Sequence, residues 1–183
     1  MVFILLALCS CKRHNEIAAL PIDKLYILEW NSWTYPALYV VGFSELDKNF
    51  NVKCARAISY KSSNYNQFEH TVSDSLRSKI SNILLKYQTD TIFSFPEDED
   101  WIYDGNHYHF ILQKDNQKSI SISFIPRYLP DDLKFVYSYL YGSREKGEIE
   151  ETVHKGTYDE LFNLFESEIQ KNLRPTIKFT PPL

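Results

Sequence analysis

From Lys24 to Trp30 the chain reads KLYILEW, and from Ala37 to Phe43 it reads ALYVVGF. Both runs are dense in the β-branched and aromatic residues that fill strands. The polar stretch 31–36 between them ends in proline and predicts a turn. A third run places Val52, Cys54, Ile58 and Tyr60 on one side at period two, after a turn-like Leu46-Asp47-Lys48-Asn49. The three runs together predict an antiparallel meander. The period then changes. Val72, Leu76, Ile80, Ile83, Leu84 and Tyr87 recur at helical spacing, with Arg77, Lys79, Asn82 and Lys86 opposite and Thr71 and Asp74 in capping positions. That helix has an apolar stripe to bury, and the meander offers the surface.

Farther on, residues Thr91 to Phe95 read as a short strand that ends at Pro96 and the acidic run Glu97-Asp98-Glu99-Asp100. A clearer strand pair follows. Tyr108, Phe110 and Leu112 alternate with His107, His109, Ile111 and Gln113, and Ile120, Ile122 and Phe124 alternate with Ser119, Ser121 and Ser123. Asp115-Asn116 supplies the hairpin turn. The alternation predicts one apolar face and one solvated face, with the histidines and serines on the solvated side. A second helix is expected from Leu129-Pro130-Asp131-Asp132, with the stripe Leu133, Val136, Tyr137 and Leu140 and a stop at Gly142. Ser143 to Gly156 reads as a charged loop. Thr157 to Glu160 fits a capping box, opening a third helix with Leu161, Leu164, Phe165 and Ile169 on one side. Arg174 to Leu183 is an extended, proline-rich tail. The pattern as a whole predicts one α+β domain over 24–183, a mostly antiparallel sheet of about five or six strands with about three helices packed on one face. This order is similar to small secreted bacterial domains of unknown function, a likeness of layout that transfers no site.

Composition narrows the classes. A chain of 183 residues is one ordinary domain with little to spare, and 44% apolar residues suffice for a core. Twenty Lys and Arg against 24 Asp and Glu leave a net charge of −4, so the chain has no electrostatic footprint for nucleic acid.

The first residues change the picture more. Val2 to Leu8 is continuously apolar. That run is too short for a membrane-spanning helix of about 20 residues. It has the length of a signal-peptide apolar region, about 7–15 residues. No Lys or Arg precedes it. Leu8-Cys9-Ser10-Cys11 resembles the lipobox of bacterial lipoproteins, in which a branched apolar residue stands three positions before the modified cysteine and a small residue stands just before it. The resemblance spans about the first dozen residues and does not reach the domain. It implies that residues 1–10 are a signal peptide cut between Ser10 and Cys11. It further implies that the Cys11 sulfur carries a diacylglycerol thioether, that its amine is acylated, and that residues 11–23 tether the domain to a membrane of the cell envelope. Two or three acyl chains hold a protein far better than one. The competing readings are a signal peptide cut elsewhere, or an N-terminal core strand or helix with Phe3, Leu5 and Leu6 inside. With Cys9 removed and Cys11 acylated, Cys54 alone remains, expected as a small buried apolar side chain.

Candidate chemistry is sparse. His107 and His109, at i and i+2 of a strand, point the same way and are weak metal-ligand candidates, with Asp104 and the acidic run nearby in sequence. Two histidines fall short of the three or four ligands that zinc takes, so no metal and no cofactor is expected. The acidic run lacks the spacing of a calcium loop. The chain has no G-x-S-x-G elbow, no H-E-x-x-H and no phosphate-binding loop. A carboxylate pair for glycoside hydrolysis is not selected by any spacing, and no catalytic residue is named. Trp33, Tyr35, Trp101 and Tyr103 are candidates for stacking on sugar faces; the alternative is that they close the ends of a ring-rich core. The expected function is therefore a membrane-anchored envelope lipoprotein that binds a protein or glycan partner. The alternatives are a small envelope hydrolase and a cytosolic interaction domain of the immunity-protein type.

Overall fold

A computed structural model describes residues 19–31, 39–60, 62–87, 106–114, 120–124, 128–146 and 151–172. The run at KLYILEW becomes strand β1, Lys24–Asn31, and all six residues from Leu25 to Trp30 are buried. A strand that hides every side chain must be covered on both faces. Leu25 and Ile27 enter one apolar cluster, while Tyr26, Leu28 and Trp30 enter another on the opposite side. β2 (Tyr39–Asp47) and β3 (Asn51–Ala57) complete the expected meander, and β4 (Asn64–Thr71) extends it. After α1 (Asp74–Leu85), the hairpin β5 (Asn106–Gln113) and β6 (Ile120–Phe124) joins the free side of β1. After α2 (Asp131–Lys146), the short β7 (Glu151–His154) joins the far side of β4. One antiparallel sheet of seven strands results, in the order β6-β5-β1-β2-β3-β4-β7. A one-turn 3₁₀ helix, Lys155–Tyr158, leads into α3, Asp159–Asn172.

The α+β class, the antiparallel sheet and the three helices stand as expected. The placement of the third helix does not. Ile80, Ile83 and Leu84 of α1 and Leu133, Val136 and Leu140 of α2 share a core with Leu25, Ile27, Val52, Cys54 and Phe110. Phe162 and Phe165 of α3, with Tyr158, pack instead on Tyr26, Leu28, Phe43, Tyr65 and Ile111 of the other face. The rings there meet edge to face: Phe43 to Tyr158 at 4.8 Å and Tyr26 to Phe165 at 6.1 Å. The sheet is thus sandwiched between one pair of helices and a single helix.

Local chemistry explains several boundaries. Thr71 ends β4 and bonds Asn51, so Ser73 rather than Thr71 stands at the start of α1. The β2–β3 turn closes on Asp47, whose carboxylate accepts from the backbone amides of Asn49 and Asn51 at 2.8 Å. Phe50 in that turn holds a left-handed φ of 64°, costly for a bulky residue, and is kept there because its ring is buried. Helix α2 passes through Gly142 instead of stopping. The charged loop expected over 143–156 contains β7 and the first two residues of the 3₁₀ turn. The leader 1–10, the strand expected at 91–95 and the tail from 174 lie outside the described residues. Among the described residues no helix is long and apolar enough to cross a membrane.

Candidate functional site

Residues paired across an antiparallel ladder share a face. On the face of α1 and α2, the register therefore lines up Tyr108, Glu29, Gly42, Arg56 and Asn66 across β5, β1, β2, β3 and β4. One step nearer the strand ends lies a second row of Asn106, Asn31 and Tyr39. This end of the sheet is polar where the remainder of the face is apolar.

Glu29 is buried, with 4% of its surface exposed. A buried carboxylate requires hydrogen-bond donors. The Asn106 amide donates to its Oε1 at 2.8 Å, and the Asn31 amide donates in turn to Asn106 Oδ1 at 3.0 Å. The relay fixes two side-chain amides at the mouth of an open concavity of about 480 Å³. Asn31, Asn66 and Asn106 line it together with Tyr39, Ser59, Tyr60 and Arg56. The Tyr39 hydroxyl donates to the Ser59 carbonyl at 2.9 Å, and the rings of Tyr39 and Tyr60 meet edge-on at 4.9 Å. Tyr60 is 60% exposed and Ile58 52% exposed, so the β3–β4 turn forms a partly apolar lip. Arg56 is exposed and lies 5.7 Å from the Tyr141 ring of α2; its guanidinium pairs with no carboxylate among the described residues.

The expected histidine pair lies on the opposite face. His107 and His109 do point the same way, but α3 covers that face, so the solvated side expected for them is in fact interior. His107 stacks on Trp30 with ring centroids 4.4 Å apart. His109 is fully buried, edge-on to Phe165 at 6.2 Å, and its Nε2 lies 2.6 Å from the Ser121 hydroxyl. Burial drives its pKa down to about 3. A serine beside a histidine suggests a nucleophile with its base. Here the base is far too weak, because taking the serine proton would place a charge in the aromatic core. No group of three or more His, Cys, Asp or Glu side chains comes together among the described residues. Cys54 is buried as expected, its thiol near Ser44 Oγ and the Leu140 carbonyl, both at 3.4 Å.

Cys11, Ser10, Trp33, Tyr35, Trp101, Tyr103 and the acidic run 97–100 lie outside the described residues. The concavity itself was not legible in sequence. Its polar members are spread from Asn31 to Asn106, and only the strand register joins them. The one usable signal was Glu29, a lone charge inside an otherwise apolar strand. Neither protein-family models nor curated proteins match this chain.

Proposed function

We propose that the chain is a lipid-anchored protein of the cell envelope whose domain binds a partner at the concavity lined by β1, β2, β3, β4 and β5. Its observed lining carries the reading. Amides, hydroxyls and a guanidinium offer directed hydrogen-bond donors and acceptors, the kind of convergent polar groups that orient a ligand in a concavity. The exposed ring of Tyr60 beside them adds an apolar contact with a flat geometry. The anchoring half of the proposal is supported by Leu8-Cys9-Ser10-Cys11, with a tether shorter than the 11–23 expected from sequence, because Leu20 and Ile22 are buried in the core of the domain and the Asp23 amide bonds the Gln113 carbonyl.

Two measurements test the halves separately. Cys11→Ala should abolish palmitate labelling and release the protein from the membrane fraction; labelling that persists overturns the anchor. On a glycan array the full chain should bind, Tyr60→Ala should lose about tenfold in signal, and Trp33→Ala and Trp101→Ala report whether the aromatics singled out from the sequence contribute. A silent array counts against a glycan partner and leaves a protein partner for the same surface.

A further inference from the structure

Resting on the binding role just proposed, we infer that the ligand is an acidic saccharide, one whose sugar ring carries a carboxylate. The charge pattern supports this class. Arg56 stands at the concavity without a protein carboxylate among the described residues, in a chain of net charge −4. Its planar fork matches a carboxylate through two parallel hydrogen bonds, and the Tyr141 ring beside it limits the orientations that fork takes. The buried Glu29 lies two strands away along the same row, its Oε1 occupied by the Asn106 amide. Adjacent strands lie about 4.8 Å apart, so the two backbones are separated by roughly 10 Å with Gly42 between them.

The remaining lining favours a sugar over other carboxylates. A side-chain amide has two N–H hydrogens and two acceptor lone pairs, so Asn106, held by Glu29 and Asn31, and Asn66, whose Oδ1 accepts from the Thr152 hydroxyl, are oriented by the protein and retain further hydrogen-bonding positions that ring hydroxyls satisfy. Asn66, Asn31 and Asn106 flank Arg56 along two rows. Tyr60 supplies an exposed aromatic face for the C–H side of a pyranose. Carboxylate, hydroxyls and an apolar ring face occur together in a uronic acid.

Titration calorimetry of the full chain in detergent tests the inference with three probes: tri-galacturonate, the corresponding neutral galactose trimer, and a tripeptide with a free C-terminal carboxylate. Tri-galacturonate should bind at least tenfold more tightly than the neutral trimer. Arg56→Gln should erase that preference, and Tyr60→Ala should weaken both sugars alike. Both positions are exposed, and thermal melts establish that the variants remain folded. Equal affinity for both sugars, or a preference that survives Arg56→Gln, overturns the acidic-sugar inference; the concavity stands in either case if Tyr60→Ala weakens binding. Sugar binding untouched by either variant overturns the concavity reading as well. Binding of the tripeptide alone, or of none of the probes, overturns the saccharide assignment.

Discussion

His109 shows how the packing of one residue sets a property of the folded state. In an unfolded chain its imidazole titrates near the ordinary 6.5, whereas in the fold burial holds it near 3. Between those values the unfolded chain binds a proton that the folded one refuses. Stability contributed by the neutral ring is complete above pH 6.5 and declines as pH falls toward 3, by about 1.4 kcal/mol per pH unit. His70, also shifted down by burial, acts in the same direction. His109→Gln should therefore lose less stability than the wild type between pH 7 and pH 4.5, measured by urea unfolding at both values. An equal loss in both proteins would show that the ring does not govern acid sensitivity. None of this was visible in the residues themselves, because period two places His109 on the same side as the serines and does not say what covers that side. The partner ring, Phe165, lies more than fifty residues along the chain.

Among the elements, α3 contributes most that local pattern did not reveal. Its stripe of Leu161, Leu164 and Phe165 was plain in the sequence, but the face it covers depends on where β7 leaves the chain. Phe165 is fully buried and touches Tyr26 and His109 across two strands. Phe165→Ala should cost about 3–5 kcal/mol in chemical unfolding. Leu85→Ala on α1, at a position 51% exposed, should stay within about 0.5 kcal/mol. Comparable losses at both positions would mean that α3 is not docked as described. Strands β4 and β7 escaped the sequence pattern for a related reason. Asn64 to Thr71 reads NYNQFEHT, with Tyr65 directed to one face and Phe68 to the other, so no apolar alternation appears. The strand is held by its two neighbours and by hydrogen bonds such as Tyr158 hydroxyl to Gln67 Oε1 at 2.7 Å.

For the whole molecule, helices on both faces leave the strand ends as the polar, open part of the sheet, and the concavity lies at one of them. The strand register gathers its members from three separate stretches of chain. The sheet class was readable because β1, β2 and the β5–β6 hairpin carry strong alternation or continuous apolar runs. The binding surface was not, since Asn, Ser and Arg in turns and strand ends resemble any solvated residue. The ladder between β1 and β5 has one more effect. Glu29 and Asn106 meet across 77 residues of chain. As the polypeptide emerges from the ribosome, β1 can zip to β2 early, but its other flank waits until the second half has been made. Through that interval the fully buried segment Leu25 to Trp30 is an unpaired border open to the same strand of a neighbouring chain. A chaperone that shields this border during synthesis should therefore raise the fraction of chains that reach the native state, a gain read as soluble yield on co-expression.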